Sequence, residues 1–182
     1  DWLAAPAQRA CASATLIKTA ALLPRIVPLA ASHASDLSAA LRVGLEAPLL
    51  LSAAFLAATQ DWRVPRKVLN ISSGLGRRPM ASQSAYCAVK AGMDHFTRCL
   101  ALEEAQRPHG ARVCSLAPGV IDTDMQQQLR GAAPGDFPDQ ARFEQLKTQG
   151  LLSTPEDAAQ AVLAYLARAD FGEHPVADVR EA

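Results

Sequence analysis

The sequence predicts an α/β protein in which a mostly parallel sheet lies between two layers of helices. Short apolar runs at Thr15-Leu16-Ile17, Val68-Leu69-Asn70-Ile71 and 112–117 (RVCSLA) have the length and composition of buried strands. Longer segments with helical spacing separate them, and such alternation is the pattern of parallel strands joined by crossover helices. A polar, glycine-containing turn, Ser72-Ser73-Gly74-Leu75-Gly76, follows the second run directly, where open α/β sheets place their chemistry. With 182 residues, 49% hydrophobic and 20% charged, the chain has the size and chemistry of one domain over 1–182.

Taken in order, residues 1–14 are alanine-rich and predict a helix, without an initiator methionine. The strand at 15–17 follows, and the two prolines and small residues of 22–35 predict a loop. Residues 36–59, rich in Leu, Ala and Val, predict a long helix capped by Asp36 or Ser35. A charged turn with Pro65 covers 61–67 and leads into the strand at 68–71. The helix after Ser84 carries Tyr86, Val89, Met93, Phe96, Leu100 and Leu102, an apolar arc wide enough to face both the sheet and another subunit. Pro108 and Gly110 turn the chain into the strand at 112–117, and a Pro118-Gly119 turn follows. Residues 126–150 are polar and broken by Gly131, Pro134, Gly135 and Pro138, which predicts a mobile substrate lid with one short helix over 138–148. Ser153 or Thr154 caps the last helix, Pro155 occupies its first position, and it runs to about 169. The tail from Phe171 predicts a final edge strand.

Composition excludes several classes of partner. Eighteen basic and eighteen acidic side chains give a net charge of zero, so no nucleic-acid or anionic-membrane surface is indicated and a small molecule is the expected ligand. Cysteines 11, 87, 99 and 114 form no Cys-x-x-Cys pair and have no histidines at ligand spacing; they predict reduced thiols and no metal site. No run of 18 uninterrupted apolar residues marks a membrane span, and cytoplasm is the expected compartment.

The candidate chemistry centres on Tyr86 and Lys90. Four residues apart in a helix, they stack on one face. An ammonium beside a phenol favours the phenolate and is expected to lower the tyrosine pKa from its usual value of about 10. A phenol tuned in this way passes protons to or from a substrate oxygen near neutral pH.

A strand ending in Ser-Ser-x-x-Gly, Ser73 thirteen residues before the tyrosine, Tyr86-x-x-x-Lys90 and the segment LAPGVIDTDM at 116–125 together resemble the short-chain dehydrogenase/reductase family. From Asp122 onward, DTDMQQQLR, FEQLKTQG, LLSTPEDAAQAVLAYL and Phe171 followed seven residues later by Asp178 resemble its sepiapterin reductase branch, including benzil-reductase-like members. The resemblance implies a Rossmann-like three-layer α/β/α sandwich, N-terminally truncated. The family's glycine-rich turn after its first strand is absent, and Gly74-Leu75-Gly76 belongs to the turn after the serine strand. The resemblance also implies NADP(H)-dependent reduction of a carbonyl, a pterin side-chain diketone or a similar ketone or dicarbonyl, with NAD(H) as the alternative cofactor. Ser73 would orient the carbonyl, Tyr86 would be the general acid and Lys90 its partner and ribose ligand. Pro118, Gly119, Ile121 and Thr123 would contact the nicotinamide end, and Asp178 would anchor substrate. The two long helices would pair in a homo-oligomer. Two family positions are changed: Lys18-Thr19-Ala20-Ala21 replaces Asn-Asn-Ala-Gly, and Gly44 stands where an asparagine holds a proton-relay water. As glycine, it either kinks the helix or allows close packing. The alternative function is a non-catalytic fragment, or a dimerising interaction protein, that does not bind the dinucleotide.

Overall fold

The computed structural model describes residues 11–181. Four parallel strands, β1 (Ala14–Lys18), β2 (Arg66–Ile71), β3 (Arg112–Ala117) and β4 (Val176–Asp178), lie side by side in sequence order. Leu16 pairs with Val68 and Val68 with Val113, while Ala117 pairs with Asp178 at the far edge. Parallel pairing requires a crossover between neighbours. The crossovers are α1 (Ala34–Leu41) and α2 (Ala47–Thr59), then α3 (Ser84–Ala105), then α4 (Asp124–Arg130), α5 (Gln140–Thr148) and α6 (Pro155–Ala167).

Adjacent strand residues point to opposite faces, so the apolar run in β2 supplies both cores. Val68 and Val113 pack with Phe55 of α2 and with Leu100 and Ala101 of α3. Leu69, Cys114 and Leu116 pack on the other face with Tyr165 of α6 and Phe171. The result is the expected three-layer sandwich. β1 forms one edge, and Ile17 on its outer face is 40% exposed.

Several local expectations are corrected. The helix expected over 36–59 begins at Ala34 and is continuous through a π turn at Arg42–Glu46. His33 is its N-cap and makes no side-chain capping bond, so neither Ser35 nor Asp36 is the cap. Asp36 instead lies 3.6 Å from Arg25. Gly44 sits buried in the π turn, where a Cβ would lie 2.4 Å from Cγ1 of Val89. Both alternatives for this glycine are therefore realised, a local break in the α-helical ladder and close approach to α3. By length and composition the 34–59 helix is apolar enough to cross a membrane; here Phe55 packs it against the sheet.

The turn expected over 61–67 ends at Pro65, because Arg66 and Lys67 open β2. Arg66 is buried, donates to the carbonyl of His109 at 2.7 Å and to Thr59 Oγ1 at 3.2 Å, and lies 3.4 Å from Glu104. Glu104 also accepts the amide of Ala111 at 2.7 Å, tying the end of α3 to the approach to β3. The lid region holds two helices rather than one. α4 was hidden by its polar composition, but Leu129 buries with Phe137 and Phe143 against Leu23, Ile26 and Met80. The tail strand shortens to Val176–Asp178, followed by a 3-10 turn at Val179–Glu181. Of the helix expected over 1–14, residues 1–10 lie outside the described residues, and Ala14 already belongs to β1.

At the end of β1 the side chain of Lys18 is buried, donating to the carbonyl of Pro48 at 3.1 Å and to Ser52 Oγ on α2. Burial pulls its pKa down to about 8. A lysine thus fastens β1 to α2 where the family resemblance has asparagine.

Gly44→Ala tests the close approach of the π turn to α3. The added methyl collides with Val89 and should lower stability by about 1–3 kcal/mol in urea unfolding; a variant as stable as wild type would show that the two helices separate freely.

Candidate functional site

The carboxyl ends of β2 and β3 open onto a cavity of about 550 Å³. It is lined by Ser73 after β2, Tyr86 and Lys90 from α3, and Pro118, Gly119, Ile121 and Thr123 after β3. All the expected site residues except Asp178 therefore converge here. Arg78, Gln126 and Leu129 of α4, and Arg142 and Phe143 of α5 form further walls.

Ser73 is held by its own turn. It is the N-cap of the 3-10 turn Gly74–Gly76, and its Oγ accepts the amide of Leu75 at 3.2 Å. Its hydroxyl reaches the Tyr86 phenol, whose charged form that hydrogen bond favours. Tyr86 is 7% exposed, at the base of the cavity. Lys90 is 2% exposed, donates to the carbonyl of Ile71 at 2.8 Å, and lies with its Nζ 5.6 Å from the Tyr86 ring centre.

The expected direction of the tyrosine shift is reversed. Burial pushes the Tyr86 phenol above 10.0, and the side chain of Ser73 offsets this only in part. Lys90 does not overcome burial, because its ammonium is turned to the Ile71 carbonyl and burial pulls its own pKa down to about 8. The spacing of four was sufficient to place the two groups together but not to predict which environment prevails.

In the loop after β3, the amide of Ser153 donates to the carbonyl of Val120 and the amide of Asp122 donates to the carbonyl of Ser153, each at 2.9 Å. This one-residue parallel bridge leaves the amide and carbonyl of Ile121 on the opposite side. Gly119 has φ 88°, a conformation that favours glycine. Thr123 is the N-cap of α4 but makes no side-chain capping bond, and its hydroxyl lies 3.5 Å from the Ile121 carbonyl. Asp122 fastens the lid helices to this loop through Lys147 at 2.5 Å and Arg130 at 3.5 Å. Its carboxyl is correspondingly held below the usual range, chiefly by the hydrogen bond from Lys147.

Asp178 does not line the cavity. Its carboxylate is closed by Arg180, which donates to its two oxygens at 2.8 and 2.5 Å, and it is Arg180 that reaches the cavity wall. The sequence placed the acid correctly at the sheet edge but could not show that its neighbour two residues on takes its charge.

Two polar features were missed. Gln83 and Gln126 line the cavity with side-chain oxygens that are buried and accept no hydrogen bond. Asp94, 1% exposed, accepts hydroxyls from Ser72 at 2.5 Å and Ser115 at 2.6 Å and lies 3.7 Å from Arg77. Its place eight residues after Tyr86 and four after Lys90, on the same helix face, was the available signal.

Comparison with known proteins agrees with the fold and the motif. The family model for short chain dehydrogenases matches residues 12–133. The benzil reductase ((S)-benzoin forming) of Bacillus cereus is 36% identical over 166 residues, which cover 91% of this chain and 67% of that enzyme. The sepiapterin reductase of Mus musculus is 35% identical over 130 residues, covering 71% of this chain and 48% of that enzyme. A crystal structure from Agrobacterium tumefaciens with bound NADP, provisionally assigned as a 2-deoxy-d-gluconate 3-dehydrogenase, superposes with a TM-score of 0.74 at 26% identity, covering 91% of this chain and 65% of that one. A Rossmann-type sheet with serine, tyrosine and lysine at its carboxyl edge defines an oxidoreductase scaffold. The chain belongs to the short-chain dehydrogenase family, and spans about two thirds of the first of these relatives and about half of the second.

The environment of Tyr86 is open to direct titration. The chain has two tyrosines, so on a Tyr165→Phe background the ultraviolet absorbance of tyrosinate follows Tyr86 alone. Its midpoint should lie above 10.0 without ligand and rise further in Ser73→Ala, which loses the one favourable hydrogen bond. A midpoint below 10 would mean that Lys90 outweighs burial.

Proposed function

We propose that this chain carries the catalytic centre of an NADP(H)-dependent carbonyl reductase acting on a ketone or dicarbonyl, such as a pterin side-chain diketone. The observation that carries the proposal is the convergence of Ser73, Tyr86 and Lys90 on one cavity with the outward-facing amide of Ile121. The nicotinamide end of the cofactor suits the residues present. Ile121 keeps its backbone amide free beside Gly119 at the cavity wall, Thr123 offers an exposed hydroxyl, and Lys90 offers an ammonium for ribose hydroxyls. NADPH, when bound, supplies the hydride.

Tyr86 is the general acid, donating its phenolic proton to the carbonyl oxygen as charge develops there. Its raised pKa suits that role, because a phenol above 10.0 is fully protonated at neutral pH. Lys90, at about 8, is still mostly an ammonium at neutral pH and stabilises the phenolate left behind. The Ser73 hydroxyl donates to the substrate oxygen and fixes its distance from Tyr86. Gln83 and Gln126 add polar side chains to the cavity wall. Asp178 acts indirectly, by fixing the guanidinium of Arg180 at the wall. NAD(H) is the alternative cofactor.

A second reading, a chain that keeps the catalytic residues without holding the dinucleotide, is favoured by one feature. The chain's one Gly-x-Gly, Gly74-Leu75-Gly76, forms a 3-10 turn under Ser73. Calorimetry with NADPH separates the two. The reductase reading expects micromolar binding that Tyr86→Phe leaves nearly intact, with dicarbonyl turnover falling about 10²- to 10⁴-fold in that variant. No binding at millimolar NADPH would refute it for this chain.

The long helices also suit a homo-oligomer, since Leu50 on α2 is 62% exposed and Leu102 on α3 is 71% exposed. Sedimentation should find an oligomer that Leu50→Glu dissociates. A wild-type chain that stays monomeric at every concentration would dismiss the interface.

A further inference from the structure

We infer that Asp94 is a positioning residue of this site, a buried carboxylate that joins the carboxyl ends of β2 and β3 to the helix carrying Tyr86 and Lys90 and is the counter-charge behind Lys90. It rests on the assignment of Lys90 as the site lysine. Tyr86, Lys90 and Asp94 stand at i, i+4 and i+8 on α3, and one helix face therefore carries phenol, ammonium and carboxylate in a row from the cavity inward. Ser72 directly follows β2 and Ser115 lies within β3, and both donate to Oδ1 of Asp94, at 2.5 and 2.6 Å. Through these two bonds the strand that ends at Ser73 and the strand that leads to Pro118 are referenced to the helix that carries the acid.

Bridging two hydroxyls does not by itself call for a charge. An asparagine accepts both through one oxygen without the cost of a buried carboxylate. The second oxygen is not used for bridging: Oδ2 is buried and accepts no hydrogen bond. It faces the Arg77 Nε at 3.7 Å, beyond hydrogen-bond reach, and Gly76, where a Cβ would lie 2.7 Å away. The same Cβ would lie 3.0 Å from the backbone carbonyl of Lys90, so the turn after Ser73 packs directly over the Lys90–Asp94 step. A carboxylate that keeps an unsatisfied oxygen in this place contributes through its field, and the nearby cation that burial penalises is Lys90.

The charged and titratable groups around this row are Tyr86 on α3, Arg77 in the turn after β2, Cys114 in β3, and the Asp178–Arg180 pair at the end of β4. Arg77 opposes the action of Asp94 on Lys90, since it partly neutralises the carboxylate. It is 31% exposed, so solvent weakens its share.

The test reads Lys90 itself and needs no cofactor. The chain has four lysines, so after lysine-selective carbon-13 labelling Lys90 is resolved by NMR without any need of reagent access. The pH dependence of its side-chain shift gives its titration midpoint, expected at about 8 in wild type. Asp94→Asn should lower the midpoint by about one unit, a tenfold smaller ratio of ammonium to amine at any given pH. Arg77→Gln should raise it, and Ser115→Ala, which removes a hydrogen bond but no charge, should leave it in place. A folded Asp94→Asn chain with the wild-type midpoint would overturn the proposal, as would a Ser115→Ala shift as large as that of Asp94→Asn. Should Asp94→Asn fail to fold alone, the ion pair is removed together: Arg77→Gln with Asp94→Asn should titrate below Arg77→Gln by itself, and an equal midpoint overturns the proposal. A shifted midpoint in a chain that does not bind NADPH would defeat the reductase reading alone and leave the pairing of Asp94 with Lys90 standing.

Discussion

The rest of the structure depends on the docking of α3 against the carboxyl ends of β2 and β3. One turn of that helix separates Tyr86 from Lys90 on the same face, and the sheet beneath supplies the partners: the Ile71 carbonyl for Lys90, and Ser72 and Ser115 for Asp94. At the opposite end of the same helix, Glu104 receives Arg66 and the amide of Ala111. The helix is thus fastened at both ends to the two central strands. Between these ends the apolar contact with Val68 and Val113 supplies the burial, and the polar ties set the register.

Burying these polar groups has a consequence for the chemistry. Tyr86 and Lys90 are largely withdrawn from water, which raises the one pKa and lowers the other, and both shifts disfavour charge. A site prepared in this way is neutral at the phenol and still able to support a phenolate once it forms.

The outer wall of the cavity is built from segments that carry few apolar residues. α4 and α5 close over it because Leu129, Phe137 and Phe143 form a small core of their own with Leu23, Ile26 and Met80. Charge fastens this core to the loop after β3, through Asp122 with Lys147 and Arg130. The tie acts next to Ile121 and Thr123, so α4, α5 and the loop backbone are held together there.

Strand and motif positions were legible in the sequence because they are local. Apolar runs bounded by turn residues located β1, β2 and β3, and the spacings from Ser73 to Tyr86 and from Tyr86 to Lys90 placed these residues in one family pattern. Pro155 after Thr154 marked the start of α6 for the same reason: capping depends on four consecutive residues. What the tertiary structure alone decided involves partners far apart in the chain. Gly44 needs its small size because Val89 approaches from another helix, and α4 is a helix because Leu129 has a distant apolar partner to cover it. Asp178 is turned from the cavity by an ion pair whose geometry depends on the turn that follows β4. The direction of the Tyr86 shift belongs with these, because burial is a property of the whole packed interior, whereas a spacing of four residues specifies only that two groups meet.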